Sequence, residues 1–128
     1  MTSVVTDASA VLALVRDEPD ADKVTPYVGR AAISAINLQE VIKEFLLSGL
    51  DAATIRKILD ELRLDVLPYD VEAAYAAAGL HAQTKEFGRG FGDRSCLALA
   101  ILLGIPVLTA DREWKKVKVK GLKMEHIR

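Results

Sequence analysis

Four acidic residues combine a type and a position from which chemistry can be done. Asp7 follows the apolar run Val4-Val5, and Asp111 follows Val107-Leu108. Asp93 opens the amphipathic segment Ser95–Leu103, and Glu40 lies a turn or two into a helix after the apolar stretch Ala31–Ile33. If the apolar runs are parallel strands, their carboxyl ends share one sheet edge, where α/β proteins build their sites. Four carboxylates gathered there repel one another unless a cation holds them. A hard divalent ion such as Mg²⁺ takes oxygen ligands and keeps several waters. The chemistry this points to is metal-assisted hydrolysis, most naturally of a phosphodiester.

Each acid also has a plainer role. Asp7, Asp93 and Asp111 stand where helices are expected to begin, and Asp is a common N-cap. Glu40 resists that account because it lies inside its helix; its plain role is a surface pairing with Lys43. Thr6, Ser9, Ser95 and Thr109 flank the acids, where their hydroxyls can bond either the carboxylates or the local backbone. His81 and His126 lack a partner at metal-ligand spacing. No Ser/His/Asp or Cys/His set is visible, which favours an activated water over a protein nucleophile.

The elements that must position these residues alternate in type. Val4–Thr6, Ala31–Ser34, Leu64–Leu67, Val107–Thr109 and Met124–Ile127 read as short strands. Between them, helices are expected over Ala8–Arg16, Asp20–Gly29 and Ile36–Ser48. Asp51 caps another that runs to about Arg63, and Asp70 caps a long alanine-rich one through about Lys85. A further helix is expected over Asp93–Leu103, stopped by Gly104, with a short helical turn after Asp111. Phe87–Gly92 reads as a glycine-rich loop; it lacks the Gly-Lys-Ser/Thr ending of a phosphate-binding loop. This alternation predicts an α/β fold with a mostly parallel sheet covered by helices on both faces, in one domain over residues 1–128.

Composition narrows the rest. At 51% hydrophobic residues the 128-residue chain can build a core, and 27% charged residues do not describe a disordered one. A net charge of −1 does not mark a nucleic-acid binder. The tail is locally basic, with Arg112, Lys115, Lys116, Lys118, Lys120, Lys123 and Arg128 against Glu113 and Glu125. Such a cluster can attract phosphates, or can simply blunt a solvated edge strand. Cys96 is the single cysteine, so no intrachain disulfide forms, and its apolar setting predicts a buried structural thiol. Trp114 and Tyr69 are expected to pack rather than stack on bases. No leader-like start or membrane-length apolar run is seen, so a cytoplasmic protein without membrane contact is expected.

Four blocks occur in order along the chain: Val5-Thr6-Asp7-Ala8-Ser9, Ile33–Val41, Gly92–Ala100 and Val107–Trp114. Together they resemble the PIN-domain ribonucleases, specifically the VapC toxins of toxin–antitoxin pairs. The resemblance implies a three-layer α/β/α sandwich. It implies Mg²⁺ or Mn²⁺ held by Asp7, Glu40, Asp93 and Asp111, with Asp7 and Asp93 as main ligands and Ser9 and Thr109 lining the same pocket. RNA would be cut by metal-activated water, with Arg112, Lys115 and Lys116 along its backbone. The same likeness implies a homodimer blocked by a cognate antitoxin protein, and the apolar excess on the helices over Ile36–Leu47 and Ala52–Leu62 is a candidate dimer face. Competing readings are a phosphoryl-accepting receiver-like signalling module, a non-catalytic PIN-like domain that binds RNA or a partner, and a metal-dependent phosphatase. The receiver lacks support in an adjacent acid pair after the first strand, and the third strand ends at Pro68 rather than at an aspartate.

Overall fold

A computed structural model describes residues 1–85 and 90–128. Five strands form one parallel sheet: β1 (Val4–Thr6), β2 (Ala31–Ser34), β3 (Asp65–Leu67), β4 (Val107–Thr109) and β5 (Met124–His126). Their order is β3-β2-β1-β4-β5, with every neighbouring pair parallel. The helices are α1 (Ala8–Val15), α2 (Ala35–Leu47), α3 (Ala52–Leu62), α4 (Val71–Ala78), α5 (His81–Thr84) and α6 (Phe91–Leu103), with short 3₁₀ turns between.

The layers follow from the two-residue period of a strand. Val4, Ala31 and Leu108 turn to one face, where they meet Ala10 and Ala13 of α1. On that face Ile33 packs with Val41 and Phe45 of α2 and Ile55 of α3. Val5, Ala32 and Val107 turn to the other face and pack with Ala77 of α4 and Leu97 and Ala100 of α6. Strands β1, β2 and β4 are therefore buried on both sides, which is why they read as unbroken apolar runs. The result is the expected three-layer α/β/α sandwich.

The strand order places a topological switch at the centre of the sheet. From β1 the chain steps outward through β2 to β3, then returns to β4 on the opposite flank of β1. Asp7 follows β1 and Asp111 follows β4, so the two acids leave adjacent strands at the switch, where open α/β sheets bind ligands.

Three local expectations are corrected. The segment 20–29 forms two 3₁₀ turns, Ala21–Lys23 and Thr25–Tyr27, not one helix. Pro26 lacks an N–H and disfavours helical geometry at Thr25, so an α-helix cannot run through it. The alanine-rich helix breaks after Ala78 at Gly79, a poor helix former, and Leu80 beyond it joins the core at 8% exposure. Helix α6 starts at Phe91 after an extended Gly90, so Phe91 and Gly92 belong to the helix rather than to a loop. The Phe87–Arg89 part of the expected loop lies outside the described residues. Gly104, in left-handed geometry at φ 68°, stops α6 as expected.

Candidate functional site

Asp7 accepts the most hydrogen bonds of the four acids. It caps α1, its Oδ1 accepting from the Ala10 N–H at 2.9 Å. Its Oδ2 accepts from the Thr109 hydroxyl at 2.6 Å. The Ser9 hydroxyl lies 2.7 and 2.8 Å from the two carboxylate oxygens and, with one proton, makes one bond shared between them. Three donors thus serve about four lone-pair sites, leaving room on Asp7 for one further ligand. Ser9 in turn accepts from the Ala110 N–H at 2.9 Å, and Thr109 accepts from the Asp111 N–H at 3.0 Å. These bonds stitch the end of β1 to the end of β4.

The other two flanking hydroxyls turn to backbone instead. Thr6 donates to the Asp7 carbonyl at 2.9 Å, and Ser95 donates to the Phe91 carbonyl at 2.6 Å. Local bonding thus accounts for Thr6 and Ser95 but not for Ser9 and Thr109.

Glu40 is half-buried on α2, and it does not pair with Lys43, which lies 3.5 Å from Glu44 instead. Its Oε1 accepts from the Asn37 amide at 2.9 Å, and the same amide nitrogen donates to the Gly92 carbonyl of α6 at 3.0 Å. Glu40 therefore leans toward the first turn of α6, the turn that carries Asp93. Asp93 is the third residue of α6, not its cap, and its charge faces the positive end of the helix dipole. Asp111 caps the 3₁₀ turn Arg112–Lys116, accepting from the Glu113 N–H at 3.0 Å.

The electrostatics tie the acids together. Burial, opposed by its hydrogen bonds and aided by Asp93, pushes Asp7 from near 3.8 up to about 6. Asp93 is also raised, first by burial and then by the charges of Asp111 and Glu40, while the Gly90 N–H and Arg94 pull the other way. Burial and the fields of Asp7, Asp93 and Glu40 hold the Cys96 thiol protonated, so it is the inert core thiol expected. The ion pairs Arg16–Glu44, Lys43–Glu44, Lys116–Glu113 and Arg128 with Glu18 and Asp20 do not involve the four acids, whereas the charge of Arg94 acts on Asp93.

The donor set suits a hard divalent cation. All four side chains offer carboxylate oxygens, the ligands of Mg²⁺ and Mn²⁺ rather than of zinc. Among the described residues no three His, Cys, Asp or Glu side chains close into a ready cage. An open arrangement fits an ion that retains part of its water shell.

The basic residues are less concentrated than the acids. Arg112, Lys115 and Lys116 are exposed on the 3₁₀ turn beside Asp111. Lys116 reaches Glu113 at 3.5 Å, whereas Lys115 is near enough to depress the pKa of His126, after burial as the larger cause. Trp114 is 1% exposed and packs in the core, as expected. Reading the sequence singled out neither Asn37 nor Gly92. The available signals were an amide one helical turn before Glu40 and a glycine immediately before Asp93.

Comparison with known proteins fits this geometry. A family model described as "PIN domain" matches residues 4–120. A search of curated proteins finds no match. Among solved structures, the DNA-bound VapBC from Salmonella typhimurium superposes with a TM-score of 0.70 at 23% identity, covering 100% of both chains. A toxin–antitoxin complex from Klebsiella pneumoniae gives 0.72 at 17% identity, covering 94% of this chain and 95% of that one. VapBC-5 from Mycobacterium tuberculosis gives 0.62 at 21% identity, over 98% and 99%. Among the described residues no helix is long and apolar enough to cross a membrane.

Proposed function

This chain belongs to the PIN domain family, and from that premise we propose that it is a divalent-metal-dependent endoribonuclease, the VapC-type toxin of a toxin–antitoxin pair. The observation that supports the reading is that Asp7 and Asp111 leave adjacent strands at the switch point while Asp93 shares its field with Asp7, Asp111 and Glu40. Asp7, Glu40, Asp93 and Asp111 would hold Mg²⁺ or Mn²⁺. When bound, the ion supplies an activated water and a counter-charge for the phosphate oxygens.

The chain's own residues do the rest. Ser9, Thr109 and the Ala10 N–H fix the Asp7 carboxylate in one orientation. In the metal-free chain burial raises Asp7 and Asp93, so an ion that binds them displaces a proton. Arg112, Lys115 and Lys116 border Asp111 and would hold the RNA backbone, a contact that weakens steeply with salt.

The structural neighbours are toxin–antitoxin complexes, and we extend that partnership to this chain as a cognate antitoxin. A basic side chain inserted among the carboxylates would relieve their repulsion and compete with the metal. A homodimer is the accompanying expectation.

The test is cleavage of structured cellular RNAs by the purified chain with Mg²⁺ or Mn²⁺, beside Asp93→Asn. Metal-dependent cutting that disappears in the variant is the expected result. Equal behaviour of the two proteins on RNAs that the unaltered chain does cut would overturn the assignment.

A further inference from the structure

Asn37 stands at 2% exposure on the first turn of α2, facing the first turn of α6. Its amide nitrogen serves two acceptors, the Glu40 carboxylate at 2.9 Å and the Gly92 carbonyl at 3.0 Å. Both neighbours are acceptors, so the chemistry itself sets which end of the amide faces them. Its Oδ1 is left buried without a donor. A side chain selected only for packing there would be apolar, or would satisfy both ends of its amide, because an unpaired buried acceptor costs stability.

Gly92 supplies the second, independent observation. A Cβ built on it would fall 2.0 Å from Glu40 Oε1 and 2.8 Å from its Cδ, while Asn37 Nδ2 would be 3.3 Å away. The space that any other side chain would fill is the space in which the Glu40 carboxylate lies. Glycine is otherwise a poor choice for a helical position.

We infer that Asn37 and Gly92 form a latch that positions Glu40 against Asp93: the amide ties Glu40 to the α6 turn, and the bare glycine leaves the carboxylate its seat. Asn37 is a positioning residue, acting through Glu40. The inference deepens the metal-centre reading above and rests on it.

The test measures Mn²⁺ affinity calorimetrically, without RNA, together with the melting temperature of the metal-free chain. The unaltered chain is compared with Gly92→Ala, Asn37→Leu and the double variant. Glu40 is a flexible side chain, so in Gly92→Ala it can swing aside without disrupting the fold. The latch predicts that Gly92→Ala weakens Mn²⁺ binding by roughly tenfold or more, as loss of a ligand's supporting partner does. Its metal-free melting temperature should hold or rise, since alanine favours a helix over glycine. Asn37→Leu, close in shape and apolar, should lose affinity similarly without a fall in melting temperature, and the double variant should lose little beyond the worse single, because both act on one group.

Mn²⁺ affinities within about twofold of the unaltered chain in both single variants overturn the latch. So does a loss of affinity that merely follows a falling melting temperature, the mark of a packing role. If the unaltered chain itself binds no Mn²⁺, the metal-centre reading fails, and the latch falls with it; the two failures are thereby told apart.

Discussion

The molecule carries two acidic clusters that differ in what holds them. At the C-terminal end, Glu18 and Asp20 are bridged by Arg128, whose Nη2 lies 2.5 Å from Glu18 Oε1 and whose Nε lies 2.6 Å from Asp20 Oδ2. That guanidinium, through its hydrogen bonds, holds Asp20 below the ordinary carboxylate range. At the switch-point edge Asp7 is bonded by hydroxyls and a backbone N–H instead of a guanidinium, and burial pushes it the opposite way, to about 6. The first cluster is complete in itself and fastens the chain's end to the segment after α1. In the second, burial and the mutual repulsion of the acids raise Asp7 and Asp93. Shifting Asp7 by about two pH units amounts to roughly 3 kcal/mol. That is similar to what burying a valine such as Val4 or Val5 contributes, about 1.5–3 kcal/mol. The proposed cation, bound at Asp7, would offset that cost.

The sharpest way to break this contrast is to neutralise one acid from each cluster. Asp7→Asn should lower metal-dependent RNA cleavage by about three orders of magnitude, since a metal centre contributes several kcal/mol to the barrier. Asp20→Asn should leave cleavage unchanged. Comparable losses in both would mean that acidity in general, rather than the switch-point cluster, is being measured.

The next effect has the opposite direction. In the metal-free chain at pH 7, Asp7→Asn should stabilise the fold by about 1–3 kcal/mol, read by denaturant titration. Asparagine caps a helix as well as aspartate does, and the Ser9 and Thr109 hydroxyls can turn to meet an amide. A destabilised variant would show that the Asp7 charge is already compensated.

A pH profile sharpens the same point. Folded Asp7 binds a proton more tightly than unfolded Asp7, so between pH 3.8 and about 6 the folded chain keeps a proton that the unfolded chain has lost. Stability of the metal-free chain attributable to Asp7 therefore falls as pH rises through that window. The advantage of Asp7→Asn should vanish below pH 3.8 and be complete above about 6. Mn²⁺ binding should strengthen over the same range, because the ion must displace that proton. Mn²⁺ affinity that is flat across the window would remove Asp7 from the ligand set.

Much of this contrast was legible in the sequence, and the illegible part has a consistent cause. Asp7 and Asp111 could be placed because each ends an apolar run, and a parallel sheet carries strand ends to one edge. Glu40 could be singled out because it sits where capping cannot explain it. The partners that distinguish the clusters could not be read. Arg128 meets Asp20 across 108 residues, and Asn37 meets Gly92 across 55. Such meetings depend on how the layers stack, not on any period along the chain. The break after Ala78 is different, for it falls at Gly79, a poor helix former among the alanines. The start of α6 was hidden for a different reason. Two glycines at positions 90 and 92 read locally as a loop, although only Gly90 is used as one.

The smallest effect closes the comparison from the other side. Arg128→Ala removes the cation from the complete cluster and leaves Glu18 and Asp20 facing each other. Both stand near the surface, so water and salt can take over much of the guanidinium's work. The expected result is a slight fall in melting temperature that shrinks as salt is raised, with Mn²⁺-dependent cleavage unaltered. The variant also leaves that acid pair without its guanidinium, and Mn²⁺ should not bind it measurably. Glu18 and Asp20 lack the buried, hydroxyl-oriented carboxylate that Ser9 and Thr109 make of Asp7. If Arg128→Ala did gain a second Mn²⁺ equivalent by calorimetry, a pair of acids without a guanidinium would suffice for a metal site in this fold. The hydroxyl frame around Asp7 would then be incidental to binding.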